Sequence, residues 1–367
     1  MIKKIILTVA TWLIVVNIFA MASLNRYNLQ ADTAYTWINA EEFSQDQNWD
    51  IVSLHSRWDS LWYLDIAQNG YSFQGVGKLS NLVFFPLYPI LIYIFSFFTL
   101  GDFMLAGWLV SLLFLFLAIF YLYKLVNEFH RKSNPQHTIF LLLIFPTAFF
   151  LNAIYTESLF LFLSVATFYY ALRKNFLLAC IFGFLASLSR ITGILLFIPL
   201  LWEYYLFYKS SKRLNRKFLF PLLIPAGTFL FFLHNYFAFD DFYIFLKVQD
   251  WFGRGFELNQ EHFLLLTNPS TINFSLDLFF LIFALISTYF VFTKIRFSYG
   301  LYMLATTLLA LSTGTLMSIG RYILVLFPIY ILGASIKNQY VIQIWVLISV
   351  LLLSMNITLF VNNYWAG

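Results

Sequence analysis

Long apolar runs separated by short polar breaks make up most of this chain. A helix crossing the hydrocarbon core of a bilayer needs about 20 residues. The apolar stretch from Ile5 to Met21, behind Lys3 and Lys4, reads as the first such helix. No small-residue cleavage pattern follows it, so it is expected to be a retained span with the two lysines in the cytoplasm. Further spans are predicted at about 102–125, 138–152, 157–172, 176–190, 193–208, 218–238, 275–293, 299–316, 321–336 and 340–361. Two longer polar stretches interrupt the series, one over 23–80 and one over 240–270.

One run decides the topology. Residues 82–100 are apolar enough to cross, but Pro86 and Pro89 break the start of the run. If the run crosses, the basic connection His130-Arg131-Lys132 falls outside and the following clusters are displaced with it. If it lies in the outer interface or re-enters, the clusters at 130–132, 173–174, 209–217 and 294–296 all face the cytoplasm, as loop charge demands. The second arrangement predicts an all-α polytopic membrane protein of about eleven spans with the carboxyl terminus outside. It forms one membrane-embedded domain over 1–367, with a first outer loop at 23–101 that carries interfacial helices and a second at 239–274.

Composition changes this picture little. Hydrophobic residues are 61% of the chain and charged residues 11%, against about 25% in an ordinary globular protein. The net charge of +5 is accounted for as orientation signal, which excludes a nucleic-acid partner. The single cysteine, Cys180, lies in an apolar run and rules out a disulfide framework. The 46 Phe and 23 Tyr suit lipid contact and interface belts.

The remaining charges gather at the outer face: Asp59, Glu157, Arg190, Arg254 and Arg321. A charge at membrane depth costs about 2.5–3.5 kcal/mol on insertion scales, so a group of them suggests a site. In HSRWDSLWYLDIAQNGY (55–71) the spacing predicts a short helix ended by Asn69-Gly70 as a left-handed cap, with Asp59, Trp62, Tyr63 and Ile66 on one face. An aspartate among membrane-docking aromatics is a candidate general base, because partial desolvation raises its basicity. The competing reading is an interfacial helix whose aspartate pairs with Arg57. Glu157 is expected in the first turn of a helix capped by Thr156, an ordinary capping position as well as a place for a functional anion. Arg190, in SLSRITG, and Arg321, at a helix start, both oppose the positive-inside trend. An anion bound there relieves that penalty, and snorkelling to headgroups is the alternative. Lys247, Gln249 and Arg254 add donors near the same face. Motifs of metal hydrolysis, thiol chemistry and nucleotide-phosphate binding are absent, as is a DxD pair, and the five histidines are scattered.

Six segments together resemble the PIG-V family of mannosyltransferases, of the GT-C type. They are RWDSLWYLDIAQNGY, FFPLYP, NAIYTESLF, LASLSRITGILL, VQDWFGR and GRYILVLFP, in family order and spread over most of the chain. The resemblance implies a GT-C-like helical bundle with membrane-lying helices in its first outer loop. It also implies transfer of a sugar, mannose, from a dolichyl- or polyprenyl-phosphate-linked donor to a glycolipid or glycan acceptor at the extracytoplasmic or luminal face. The membrane would be the plasma membrane of a prokaryote, or the endoplasmic reticulum of a eukaryote. Inverting transfer assigns the catalytic pair Asp59 and Glu157, with Asp59 as base and Glu157 orienting the acceptor or positioning Asp59 through shared hydrogen bonding. Arg190 and Arg321 would hold the donor phosphate, with Arg254 as a third contact. Arg57, Trp58, Tyr155, Gln249, Trp251 and Tyr322 are further substrate-binding candidates. No cofactor or metal is expected, a divalent ion remaining the alternative. A secondary transporter or lipid flippase is the rival reading, but it calls for midplane charges and related halves that the sequence does not display. A non-catalytic scaffold would leave the acid and arginine set unexplained.

Overall fold

The computed structural model describes residues 2–26, 51–75, 78–211, 216–249 and 272–366. Among these residues the fold is all helix, in fifteen α-helices joined by turns and short 3₁₀ segments. Helix α1 is Ile2–Arg26. The first polar stretch contributes α2, Asp59–Asn69, and α3, Leu87–Ser96. Then follow α4 (Phe103–Phe129), α5 (Pro135–Leu143), α6 (Glu157–Leu172), α7 (Phe176–Ser189), α8 (Phe197–Ser211) and α9 (Leu223–Phe239). The chain finishes with α10 (Ile244–Gln249), α11 (Ile272–Lys294), α12 (Phe297–Leu311), α13 (Ile319–Leu324), α14 (Pro328–Ser335) and α15 (Gln339–Val361).

Short polar side chains set several of the helix starts. Asp102 caps α4 by accepting the Leu105 N–H at 2.9 Å, and Asn134 caps α5 ahead of Pro135 at the first helical position. Asn175 and Asn338 cap α7 and α15 in the same way.

Among the described residues, six helices are long and apolar enough to cross a membrane: Ile2–Asn25, Phe103–Phe129, Ile191–Ser210, Leu219–Phe239, Ser275–Lys294 and Gln339–Val361. The protein is therefore a polytopic integral membrane protein. Two expected spans are broken in the structure. The one at 138–152 is α5 followed by a 3₁₀ turn at Ala148–Leu151, with Pro146 between them. The one at 321–336 divides into α13 and α14 ahead of Pro328. Proline lacks the N–H that would continue the ladder, so each helix ends where the sequence pattern alone had run on.

Helix α3 has ten residues, about 15 Å at the α-helical rise, half the thickness of a hydrocarbon core. It turns back at Leu100 and Gly101, both at positive φ, and packs along α4. The end of α2 is close to expectation. Gly70 takes φ 82°, and its N–H reaches Ile66 O at 2.9 Å, but ψ of −171° carries the chain into extended backbone and not the left-handed helical cap.

Helix α6 holds the architecture together. All of its residues but Tyr170 are buried, so it is wrapped by protein on every side. It packs on α4 and α7, and α9 packs on α7 beyond it. At its carboxyl-terminal end the Arg173 Nε donates to Glu128 at 3.1 Å. That same end of the bundle holds the His130–Tyr299 contact and the Arg296–Glu203 ion pair, where the Arg296 Nε and Nη2 lie 2.5 and 2.7 Å from the carboxylate. Glu157 sits at the opposite end of α6.

Candidate active site

The chain enters α2 through a strained residue. Trp58 has φ 55°, a left-handed backbone rare for a bulky side chain, and its buried ring meets Trp365 edge-on at 5.2 Å. The Tyr155 hydroxyl fixes this entry from the other side. It accepts the Asp59 backbone N–H at 3.2 Å and donates to the Arg57 carbonyl at 2.9 Å. Asp59 is thus held at the first position of α2 by a tyrosine 96 residues away.

Glu157 opens α6 and is fully buried. Thr156 precedes it at the cap position but makes no capping hydrogen bond, contrary to expectation. Its backbone, at φ −80° and ψ −8°, is already helical, whereas side-chain capping needs an extended residue. The Glu157 carboxylate faces arginines instead. Arg321 donates from Nε to Glu157 Oε1 at 3.0 Å and from Nη1 to Asp59 Oδ2 at 2.7 Å, so one guanidinium joins the two acids. Arg190 Nη1 lies 3.0 Å from the same Glu157 oxygen, an ion pair by distance without an N–H aligned on the acceptor. Two carboxylates and two guanidiniums balance in formal charge, which is what permits their burial.

The anion that relieves the two arginines is therefore the protein's own Glu157, joined at Arg321 by Asp59. The Arg321 side chain is 6% exposed, so it does not snorkel to headgroups. Its guanidinium lies over the rings of Tyr155 and Phe150, at 4.6 and 5.0 Å from their centroids. Arg190 follows the last residue of α7 in extended backbone and faces Tyr322 at 5.4 Å and Phe160 at 5.8 Å. A cation at that helix end is favoured by the dipole.

Several buried polar atoms beside these residues have no hydrogen-bond partner: Ser56 Oγ, Trp58 Nε1, Thr156 Oγ1, Glu157 Oε2, Thr192 Oγ1 and Ser318 Oγ. Each lies on, or within three residues of, a member of the cluster. Unpaired polar groups are costly in a folded interior, so each is a candidate to meet a hydroxylated or charged ligand.

The other expected residues are placed unevenly. Arg57 turns to its own loop and donates from Nη1 to the carbonyls of Ser53 at 2.6 Å and Ser56 at 2.9 Å. Burial lowers its pKa to about 10, still cationic at neutral pH, and Asp59 pairs with Arg321 in its place. Asp65, further along α2, accepts from Asn69 and Asn81. Gln249 is buried at the end of α10, which packs on the 81–83 turn, and Lys247 pairs with Asp241 on the surface. Trp251 and Arg254 lie outside the described residues.

Sequence reasoning missed His55, Asn363 and Trp365. His55 is fully buried and stacks on Trp108 at 5.2 Å, and burial, with Arg57 nearby, pushes its imidazole down to about 3, which keeps it neutral. Its place at the head of the 55–71 segment was the only available signal. Among the described residues no three His, Cys, Asp or Glu side chains come together as a metal ligand set.

Gly193 gives the arrangement a test. A Cβ there would fall 2.2 Å from the Ala186 carbonyl oxygen, on the α7 backbone that leads to Arg190. Gly193→Ala is expected to destabilise the protein by about 1–3 kcal/mol or more, the range for overpacking against a rigid neighbour. Thermal unfolding in detergent measures this, and an unchanged midpoint would show that the contact yields.

With this geometry in view, comparison with known families is decisive. The family described as Mannosyltransferase (PIG-V) matches residues 37–250, more than half of the chain. The chain belongs to this family. It is a membrane glycosyltransferase, and as such it takes a sugar donor and an acceptor. No curated protein matches the chain. The matched span includes Asp59, Glu157 and Arg190, whereas Arg321 lies beyond it and is brought onto both acids by the fold.

Proposed function

We propose that this enzyme transfers mannose from a polyprenyl- or dolichyl-phosphate carrier to a glycolipid or glycan hydroxyl at the extracytoplasmic face, with inversion. The observation that carries the reading is the unequal exposure of the four charged side chains. Asp59 is 19% exposed and Arg190 12%, against 6% for Arg321 and 0% for Glu157. A base and a phosphate ligand must touch substrate, so Asp59 and Arg190 take those parts. Glu157 acts through the guanidiniums it holds, and Arg321 orients Asp59 while its charge stays near the departing phosphate.

In this reaction Asp59 removes the proton of the acceptor hydroxyl as its oxygen forms a bond to the anomeric carbon. The bond from that carbon to the phosphate oxygen breaks, and the lipid phosphate leaves with the electron pair. Arg190 stabilises the charge that develops there. Arg57 and Tyr155 act as positioning residues for the loop that carries Asp59, and Trp58 and Tyr322 line the approach. Gln249, Trp251 and Arg254 remain candidates on the second outer loop. The face is supported by the bundle itself: the basic connections 130–132, 173–174 and 294–296 gather at the end of α6 remote from Glu157.

The test is transfer in sealed vesicles holding the protein in one orientation. Polyprenyl-phosphate mannose and a glycolipid fraction from cells lacking the protein are supplied, and the products are read by mass spectrometry. A mannosylated product that requires the face opposite the basic loops is expected. Transfer only from the basic side, or none with any lipid-phosphate sugar, overturns the proposal.

A further inference from the structure

The turn that follows α15 closes one side of the site. Phe360, near the end of α15, packs on Phe149, Phe150 and Tyr155 at 4.8, 5.4 and 5.9 Å, and the last two of these rings lie beneath Arg321. Five residues later Trp365 meets Trp58, the residue before Asp59. Between those two anchors stands Asn363, 5% exposed, with neither its amide nitrogen nor its amide oxygen hydrogen-bonded.

The backbone at this turn is complete without that side chain. The Asn363 N–H bonds Phe360 O at 3.0 Å and the Tyr364 N–H bonds Leu359 O at 2.8 Å, the two bonds of a Schellman helix end. Asn363 occupies the left-handed position of this motif at φ 64°. Glycine is the usual residue there because it avoids the steric cost, and it would bury no amide. Asparagine instead buries an unpaired donor and an unpaired acceptor in the turn between Phe360 and Trp365, the two residues that pack on Tyr155 and Trp58, at a desolvation cost that the cap does not require.

We propose that Asn363 reads the donor sugar. Its amide would donate to one hydroxyl of the hexose and accept from a neighbouring one, with Trp58 and Trp365 as the apolar wall beside it. This rests on the reading of a lipid-phosphate sugar donor and adds to it the group that recognises the sugar, as distinct from the phosphate.

The experiment compares binding of two lipids, polyprenyl-phosphate mannose and polyprenyl phosphate without sugar, to the full-length protein and to Asn363→Gly. Glycine keeps the left-handed backbone and removes only the amide, so folding is preserved and the thermal midpoint should equal or exceed that of the wild type. The expected result is about 10-fold weaker binding of the sugar-bearing lipid, with sugar-free lipid phosphate bound as before. Asn363→Asp, isosteric but without the donor, should weaken the sugar-bearing lipid as well. Undiminished binding of polyprenyl-phosphate mannose by Asn363→Gly would reduce Asn363 to a helix cap and overturn the proposal. Equal loss for both lipids would overturn it too, since the effect would then be distortion of the phosphate site. A wild-type protein that binds neither lipid refutes the donor reading itself, and the sugar subsite with it.

Discussion

Asp59→Asn is expected to lower turnover by about 10²-fold or more while leaving donor binding nearly unchanged, because the amide retains the shape of the side chain and cannot take a proton. The geometry makes this a clean substitution. Tyr155 holds the residue through its backbone N–H, which asparagine also has, and an amide oxygen can still accept the 2.7 Å bond from Arg321. The loss should therefore appear in kcat measured at saturating donor, with thermal stability altered far less. Stability does not distinguish base from bystander here, but turnover does. A purified Asp59→Asn protein with near-normal turnover would reject Asp59 as the base. Suspicion would then pass to Glu157, although its complete burial argues against direct contact with an acceptor.

How much of this was legible beforehand differs by level. The all-helical membrane class followed directly from the apolar runs, and Asp59, Glu157, Arg190 and Arg321 were all nominated from their types and positions. Their mutual arrangement was not. Arg321 was expected to face an external anion, and nothing in the residues near 321 indicates that its partners lie at 59 and 157. Pairings over 164 and 262 residues are set by the packing of whole helices and leave no local periodicity. The same applies to the two broken spans. Pro146 and Pro328 were visible, but whether a proline kinks or ends a membrane helix depends on neighbours that re-satisfy the freed carbonyls. Asn363 and Trp365 were invisible for another reason. A helix end rich in Asn and Trp is also the ordinary signature of an interfacial terminus, and only the contact with Trp58 distinguishes it.

The second large effect is expected at Arg321, where Lys and Gln separate charge from geometry. The guanidinium joins Glu157 through Nε and Asp59 through Nη1, two directions fixed by its planar fork that the compact ammonium of lysine does not reproduce. Arg321→Lys should therefore keep one contact and lose the orientation of Asp59, giving an intermediate fall in kcat with a modest loss of stability. Arg321→Gln removes the charge, leaving Asp59 without its cation and Glu157 with Arg190 alone in a buried setting. Breaking a buried pair from one side costs about 3–5 kcal/mol, so this variant should unfold at clearly lower temperature and lose most activity. The double variant Arg321→Gln, Glu157→Gln removes one charge of each sign and should be more stable than the sum of the two single losses predicts, because the members share one network. Activity should not recover with stability, since Asp59 would still lack its orienting partner. Thermal midpoints and kcat for these three variants, with Glu157→Gln alone as the fourth, test this together. If Arg321→Lys matched the wild type in both, the bridge between the acids would be incidental and the residue only a counter-charge. If the double variant were strictly additive, Glu157 and Arg321 would be acting independently, and the four-charge cluster would not be one functional unit.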